Sequence, residues 1–432
     1  MKRFFTLGLM LALVSCGGAG KSVPDGGVAA MSRQSKSSVR SAAGNDSHFV
    51  VTGRYINLDG TKFFVKGMVY APTPIGKTPG DPPGLDDPLR DANKAIWQRD
   101  LPKLRAMGVN AIHVYNVVPP PYDTHTGPIS DFLKAAWNGG DKPIFVVMSV
   151  FFLGDKLFNK DAVNALAQQY HDLDAKYAKS PAVMGVAISN EIGADNFIKD
   201  AVWWNAFNKI AEAAKKGFAD GGNPDRIVTT SEADGNIGAL RFGEKFGAKV
   251  DVWGINIYRG RTFTNLFKQI RENTTKPVFF TEYGATAARH PLLKNTYSWE
   301  KGPTGLGSCA PARQDGEIIP SDVEELPGSG NPNIAGLVDY VTSNAKLLHD
   351  GFKEDGVVSG GFYFEWLDEW WKGLGKPSEH FGNVAFNGAY PSCNEDSGWY
   401  GLNSVAKGSG DVDILKPRKT LTALKDTWIS QP

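Results

Sequence analysis

The chain is poor in the residues from which metal and redox centres are built. It contains 3 cysteines and 7 histidines among 432 residues. The histidines are scattered, without paired helical spacing and without a cysteine–histidine cluster. No glycine-rich phosphate loop is present, and the acidic stretch CNEDSG (393–398) lacks the spacing of a calcium loop. We therefore expect no metal site and no cofactor.

The chain also lacks a strong charge of either sign. Its formal net charge is +1, with 22% charged and 41% hydrophobic residues, which is typical of a globular protein. This balance gives no reason to expect a nucleic-acid partner. The N-terminal apolar run, Phe4 to Val14, is too short to span a bilayer as a stable helix.

The N-terminus has the pattern of an export signal. Lys2 and Arg3 precede the apolar run, and Cys16 follows it directly. Leu13-Val14-Ser15-Cys16 resembles the bacterial lipoprotein box, in which the cysteine is lipidated and becomes the new N-terminus. The resemblance implies that residues 1–16 are a lipoprotein signal peptide and that the protein is exported and membrane-anchored. The alternative is an ordinary signal peptide that happens to contain Cys16.

Residues 17–47 consist mainly of small and polar side chains, with almost no large apolar ones. Such a segment cannot bury enough surface to fold, so we predict a flexible tether. The two remaining cysteines are Cys309 and Cys393. Outside the cytoplasm they could form a disulfide that closes a long loop, and two buried free thiols are the alternative.

Eight short apolar runs follow an N-terminal segment, FVVTGRYINLDG, which reads as a hairpin turning at Asp59-Gly60. The runs are 63–70, 109–116, 142–150, 183–191, 226–233, 250–258, 276–284 and 358–366. Helical patterns lie between most of them, including 96–107 and 162–177, and a last helix is expected from Pro417 to Trp428. This alternation predicts an α/β fold, a single (β/α)₈ TIM barrel over residues 48–432.

Two of the predicted connections are unusually long. They cover 285 to about 333, after strand seven, and 371 to about 401, after strand eight. Long loops without periodicity in a compact domain are usually functional or disordered. Each of these two contains one of the late cysteines, which favours order.

Carboxylates lie at the ends of two predicted strands, where a barrel of this type has its active site. GVAISNEIG, on strand four, reaches Asn190-Glu191, and KPVFFTEYG, on strand seven, reaches Glu282-Tyr283. Two carboxylates about 5–5.5 Å apart can cleave a glycosidic bond with retention of configuration. One attacks the anomeric carbon, and the other, whose pKa the first one raises, protonates the leaving oxygen. We therefore predict Glu191 and Glu282 as a catalytic pair.

Four motifs together resemble clan A of the retaining glycoside hydrolases over residues 50–430. They are SNE on strand four, GINIY on strand six, TEYG on strand seven and FEW on strand eight. The resemblance implies that Glu191 is the acid/base, that Asn190 binds the sugar 2-hydroxyl and that Glu282 is the nucleophile. It also implies that Tyr258 hydrogen-bonds the nucleophile and that Trp366 forms the floor of the subsite for the sugar that is cleaved.

Within the clan, FFVKGMVYAPTP, AIHVYN and PVFFTEYGA resemble the β-1,3-glucan-active families 17 and 72, and DEWW resembles family 2 barrels. The resemblance implies hydrolysis or transglycosylation of a β-linked glucan, with mannan or galactan as alternative substrates. A glycan-binding lipoprotein without turnover is a further alternative. Relatives carry Arg where this chain has His113, which we expect to be a hydrogen-bonded supporting group, with a proton relay as the alternative.

The other polar residues at strand ends are expected to bind substrate: Tyr70, Tyr115, Asn116 and Glu365. For Glu232 and Glu365, salt bridges within the barrel mouth are an alternative role. We expect a monomer whose partners are a polysaccharide or oligosaccharide substrate and, through the lipid anchor alone, a membrane.

Overall fold

The computed structural model describes residues 46–79, 88–120, 128–193, 197–259, 262–263, 265–285, 332–372 and 397–431. The predictions for the signal peptide, Cys16, Cys309 and Cys393 lie outside these residues. So do most of the predicted tether and most of the two long connections.

The described chain opens with an antiparallel sheet of three strands: β1 (Phe49–Thr52), β2 (Tyr55–Leu58) and β3 (Thr61–Lys62). The predicted turn at Asp59-Gly60 is confirmed. An earlier turn, where Gly53 has φ +60°, was missed because the apolar alternation continues through it. Phe49 and Phe63 pack edge to face on Phe145, with ring centroids 5.0 and 5.6 Å away. The small sheet therefore covers the amino-terminal end of the barrel.

The barrel strands follow the eight apolar runs that the sequence shows. They are β4 (Val65–Val69), β5 (Ala111–His113), β6 (Phe145–Ser149), β7 (Val183–Ala187), β8 (Ile227–Thr229), β9 (Glu232–Ala233), β10 (Trp253–Ile257), β11 (Val278–Tyr283) and β12 (Gly360–Tyr363). Their order in the sheet is β8-β7-β6-β5-β4-β12-β11-β10-β9, and every neighbouring pair is parallel.

The predicted fifth strand is present in two pieces. β8 pairs with β7 and β9 pairs with β10, while a bridge between Thr229 and Val252 joins the two edges. Thr230 and Ser231 interrupt the strand between the two pieces. The ring therefore closes with eight strand positions, which confirms the predicted α/β barrel.

Helices alternate with the strands. They are α1 (Lys94–Ala106), α2 (Ser130–Trp137), α3 (Lys160–Tyr177), α4 (Ala201–Asp220), α5 (Gly238–Phe246), α6 (Leu266–Asn273), α7 (Pro332–Glu354) and α8 (Lys419–Ser430). Asn159 is the N-cap of α3, and its side-chain oxygen accepts from the backbone N–H groups of Asp161 and Ala162. Among the described residues, no helix combines the length and apolar character needed to cross a bilayer.

Two features at the chain ends differ from the sequence predictions. A hairpin of β13 (Asn403–Ser409) and β14 (Val412–Pro417) precedes α8, so Pro417 ends a strand and the helix begins at Lys419. Gly410-Asp411, between two segments of strand-like residues, was the available signal for this hairpin. Ser47, which the predicted tether includes, is buried and donates to the Pro181 carbonyl at 2.7 Å. The folded part therefore begins before residue 48.

Two apolar clusters form the core. One lies inside the barrel and includes Val65, Val147, Ala187 and Phe279. The other joins the outer face of the strands to the surrounding helices and includes Leu104, Phe132, Leu173 and Trp204. The two layers hold the strands rigidly, and so they fix the positions of the side chains at the carboxyl ends.

Candidate active site

Glu282 lies at the carboxyl end of β11 and is held by two tyrosines. The Tyr115 hydroxyl donates to Oε1 at 2.6 Å, and the Tyr258 hydroxyl donates to Oε2 at 2.7 Å. Tyr115 follows β5 and Tyr258 follows β10, so strands on both sides of the barrel converge on this carboxylate. Such short bonds to an ionised acceptor fix its orientation and favour its charged form.

Glu191 lies four residues beyond β7, in a backbone conformation that is uncommon for a residue with a side chain. Its φ is +52° and that of Ser189 is +56°, and such conformations cost about 1–3 kcal/mol each. The Glu191 N–H donates to the Ser231 carbonyl at 2.6 Å, which ties this turn to the break in the fifth strand. Its Oε1 accepts from the Asn256 amide at 3.0 Å. The carboxylate is thus fixed through both its backbone and its side chain.

Asn190 shares this network. Its Oδ1 accepts from the Ser231 hydroxyl at 2.7 Å and from the Asn256 amide at 3.2 Å. The Asn256 oxygen in turn accepts from the Thr281 hydroxyl at 2.7 Å. Because the Asn190 oxygen is engaged, its amide NH₂ is the group that can donate to a ligand at the mouth.

Burial and neighbouring charges act on both carboxylates. Burial raises the pKa of Glu282 to about 7, with a further increase from the charge of Glu191, while the two tyrosine hydroxyls and Lys372 act to lower it. Burial also raises the pKa of Glu191, against the Asn256 hydrogen bond and Lys372. The charge of Glu191 therefore acts on the ionisation of Glu282, and the two tyrosine donors favour the ionised form of Glu282.

Lys372 is the cation of the barrel mouth that the sequence analysis did not identify. Its ammonium pairs with Glu369 and lies 4.7 Å from the centroid of the Phe364 ring. Burial raises the pKa of Glu365 well above its usual range, and the neighbouring Glu369 raises it further. Both effects favour the neutral form of Glu365, and the charge of Lys372 opposes them.

The structure places the other predicted site residues in different surroundings. Three of them lie at the carboxylate pair. Tyr115 and Tyr258 donate to Glu282, and Asn190 shares the Asn256 amide with Glu191. The Tyr70 hydroxyl instead donates to Asp100 of α1 at 3.0 Å, between the sheet and the helix layer. The Asn116 oxygen accepts from the Phe151 N–H at 3.0 Å and so connects two loops at the mouth.

Trp366 and Phe364 differ in position. Trp366 is 1% exposed and belongs to the apolar cluster between the strands and the helices. Phe364 belongs to the cluster inside the barrel, and its ring centroid lies 6.5 Å from that of Tyr258. Phe364 therefore lies between Lys372 and Tyr258, which donates to Glu282, and the sequence analysis did not identify it. The role implied for Trp366 as a subsite floor stays a prediction.

His113 and Glu232 are both neutral groups inside the barrel. Burial lowers the pKa of His113 to about 4, and its ring centroid lies 5.2 Å from that of Tyr115. Burial raises the pKa of Glu232 to about 8, and its Oε2 accepts from the Gly193 N–H at 2.9 Å. Glu232 therefore supports the turn that follows Glu191 through a backbone contact.

Within the described ranges, no group of three or more His, Cys, Asp or Glu side chains is arranged to hold a metal ion.

Comparison with solved structures gives extended similarity in fold. A family 2 β-galacturonidase from Eisenbergiella tayi superposes with a TM-score of 0.54 at 16% identity, covering 89% of this chain and 55% of that one. A β-glucuronidase from Ruminococcus gnavus has a TM-score of 0.55 at 14% identity over 88% of this chain and 52% of that one. The β-glucuronidase of Bifidobacterium dentium has a TM-score of 0.56 at 14% identity, with 89% and 49% covered.

This chain thus spans about half the length of those enzymes. No protein-family model matches the sequence, and no curated protein matches it either. At these identities the similarity shows a shared barrel fold.

Proposed function

We propose that the chain is a retaining β-glycosidase in which Glu282 is the nucleophile and Glu191 the acid/base. One observation carries the proposal: a buried carboxylate that accepts from two tyrosine hydroxyls has its pKa raised by the charge of a second, partly exposed carboxylate at the barrel mouth. Paired carboxyl groups with raised pKa values, in which one ionises while the other keeps its proton, are what double displacement at a sugar requires.

In the first step, the ionised Glu282 attacks the anomeric carbon while Glu191 gives its proton to the departing oxygen. The bond from carbon to the leaving oxygen breaks, and an ester bond to Glu282 forms. In the second step, Glu191 takes a proton from water or a sugar hydroxyl, which attacks the same carbon and releases Glu282. In this proposal, the amide of Asn190 binds the neighbouring hydroxyl of the same sugar.

We infer that the substrate is a neutral β-linked glucan, with β-1,3 linkage favoured by the sequence resemblance. The side chains of the mouth also support a neutral sugar. The proposal requires an ionised Glu282, and Lys372 beside it already pairs with Glu369. The charge of Glu282 would repel the carboxylate of an acidic sugar, because like charges repel each other.

A β-linked uronide is the second candidate, because the superposed structures are those of a galacturonidase and glucuronidases. The Lys372 ammonium supports it, since a sugar carboxylate could compete with Glu369 for this cation. Mannan, galactan and glycan binding without turnover remain further alternatives from the sequence.

The test of the reaction compares wild type with Glu282→Gln and Glu191→Gln on aryl β-glycosides. We expect kcat to fall by at least about 10³-fold in Glu282→Gln, and NMR to show that the first wild-type product keeps the β configuration. Glu232→Gln is the matched control, because a glutamine resembles the neutral acid already present there. An inverted product, or full activity in Glu282→Gln, would refute the proposal.

The substrate is tested with laminarin oligosaccharides, aryl β-glucuronide, aryl β-galacturonide and mannan oligosaccharides, followed by thin-layer chromatography. Shorter products from laminarin oligosaccharides would indicate a glucanase, and products longer than the substrate would indicate a transglycosylase. Preferential cleavage of a uronide would contradict the neutral-sugar part of the proposal while leaving the mechanism in place.

We also propose that the protein is exported and anchored through a lipid on Cys16. The support is the sequence pattern alone, in which a basic start and an apolar run end at that cysteine. Metabolic labelling with a fatty acid should mark wild type and fail to mark Cys16→Ser. Labelling of both variants would refute the anchor.

A further inference from the structure

The loop between β6 and α3 exposes three large apolar side chains. Phe151, Leu153 and Phe158 are 49%, 44% and 47% exposed, whereas Phe152 between the first two is 7% exposed. The loop follows the carboxyl end of a barrel strand, so it lies at the end of the barrel where the catalytic carboxylates are. We call Phe151, Leu153 and Phe158 the apolar ledge.

The ledge is held rigidly despite its exposure. The Phe152 N–H donates to the Ser189 hydroxyl at 3.0 Å, and that hydroxyl donates back to the Phe152 carbonyl at 2.9 Å. The Trp203 indole donates to the Gly154 carbonyl at 3.2 Å. The ring of Phe158 packs edge to face on Phe197 at 5.2 Å. Exposed apolar side chains on a fixed backbone lose little conformational freedom on binding, which suits a preformed binding surface.

The same contacts place the ledge beside the acid/base. Ser189 lies two residues before Glu191, and it is bonded to Phe152, which lies between two ledge residues. On the other side of Glu191, a Cβ atom on Gly154 would lie 1.9 Å from the Ile192 carbonyl oxygen, so the two backbones are in direct contact. The loop that carries the ledge therefore contacts the chain on both sides of Glu191.

We propose that the ledge binds the sugar on the leaving-group side of the scissile bond, and the acceptor sugar in the reverse direction. The proposal rests on the proposed function, because it uses Glu191 as the acid/base. A group that protonates the leaving oxygen faces the departing sugar, so the surface next to Glu191 is where that sugar lies. The apolar C–H face of a β-linked pyranose is complementary to exposed phenyl rings.

In this proposal, the ledge determines which acceptor, a sugar or water, attacks the glycosyl-enzyme in the second step. When a sugar occupies it, one of its hydroxyl groups loses a proton to Glu191 and forms the new bond to the anomeric carbon. The ester bond to Glu282 breaks, and the product is a longer oligosaccharide. When the ledge is empty, water supplies the oxygen. The occupant is therefore a neutral β-linked oligosaccharide, and its affinity sets the ratio of transfer to hydrolysis.

The test uses two substrates, a laminari-oligosaccharide and β-D-glucosyl fluoride, whose leaving group is one atom and cannot reach the ledge. Wild type is compared with Phe151→Ala, with Phe151→Ala/Phe158→Ala and with Ile429→Ala as control. Ile429 is 59% exposed on α8, away from the mouth. We expect kcat/KM on the oligosaccharide to fall about tenfold or more in the double variant and to change less than about twofold on the fluoride. The fraction of product formed by transfer to a sugar, rather than to water, should also fall in the double variant.

If kcat/KM of the double variant fell equally on both substrates, or on neither, the ledge proposal would be overturned. Turnover of the fluoride by wild type would still support the proposed function in that case. A wild type that turns over neither substrate would overturn the proposed function and the ledge together. Thermal unfolding of each variant should stay close to wild type, because about half of each replaced side chain is already in solvent.

Discussion

At the scale of single residues, the charge of Glu282 depends on two hydroxyl groups. Burial raises the pKa values of Tyr115 and Tyr258 well above the usual range, so both stay protonated and can only donate to the carboxylate. Their donation opposes the effect of burial on Glu282. Since only the ionised nucleophile can attack, these hydroxyls set the lower end of the working pH range.

Tyr258→Phe should shift the acidic limb of the kcat/KM profile to higher pH. Loss of one hydrogen bond to a charged group is worth about 1.5–3 kcal/mol, or about 1–2 pH units, and raises the pKa of Glu282. Tyr70→Phe removes a hydroxyl that contacts Asp100 instead, so it should leave that limb in place. A Tyr258→Phe profile that coincides with the wild-type profile would argue against the nucleophile assignment.

Lys372 acts on both members of the pair, so its effect should differ from that of the tyrosine. Its charge lowers the pKa of Glu282 and of Glu191. Lys372→Met should therefore move both limbs of the pH profile to higher pH, whereas Lys372→Arg should keep them near the wild-type positions. A loss of activity in Lys372→Met without movement of either limb would show that the lysine acts only through packing.

At the scale of elements, α3 contains a carboxyl group that the barrel does not use for the reaction. Asp174 is 0% exposed, and neither of its oxygens has a hydrogen-bond partner in the described structure. Burial raises its pKa well above the usual range, so the folded state favours the protonated form. The stability that this proton provides is present below the unfolded pKa of about 3.9 and is lost as pH rises toward the folded value.

Asp174→Asn should therefore be more stable than wild type at pH 8, by roughly 1–3 kcal/mol, because it removes an ionisable group from an apolar site. At pH 4 the two proteins should unfold at similar temperatures. Calorimetric or fluorescence melting at both pH values measures the difference. A variant less stable than wild type at pH 8 would mean that Asp174 has a stabilising partner.

The elements also show what could be predicted from the sequence. The eight predicted strand positions were correct because each barrel strand is a short buried run with turn residues on both sides. The proposed catalytic pair could be chosen from the sequence because Glu191 and Glu282 lie at the ends of two of these runs. The resemblance assigned Trp366 to the subsite floor, and this residue lies beyond Tyr363, where β12 ends. Past that point the alternation of strand side chains no longer determines which way a residue faces.

Lys372 and the ledge were missed for the same physical reason. Both belong to loops, where side-chain direction follows from tertiary contacts rather than from a repeating pattern. Likewise, Tyr70 and Asn116 lie just beyond β4 and β5, and the sequence could not show that their polar atoms contact Asp100 and Phe151.

At the scale of the whole molecule, the barrel holds acidic groups that work against its stability. Burial raises the pKa of Glu282 from 4.5 to about 7. For such a group, stability is greatest below the unfolded pKa and declines as pH rises through the folded pKa. A shift of this size corresponds to at most about 3 kcal/mol, a large part of the stability of an ordinary protein.

Glu282→Gln should therefore be inactive and yet more stable than wild type at pH 8, with the difference shrinking toward pH 4. Denaturant unfolding at a series of pH values measures it, with Glu244→Gln as a control at a half-exposed glutamate that binds Trp253 outside the mouth. If Glu282→Gln were destabilised at pH 8, the carboxylate would be needed for folding rather than kept for the reaction.

The assignment of Glu282 as the nucleophile is tested most directly by trapping the covalent intermediate. The full chain is incubated with a 2-deoxy-2-fluoro-β-glucosyl fluoride, which forms the glycosyl-enzyme quickly and releases it slowly, and is then digested and mapped by mass spectrometry. The account predicts one added 2-fluoroglucosyl group per chain, on the peptide containing Glu282, and none in Glu282→Gln. A label on Glu191 or another residue would contradict it, as would an unlabelled enzyme that still cleaves β-glucosides.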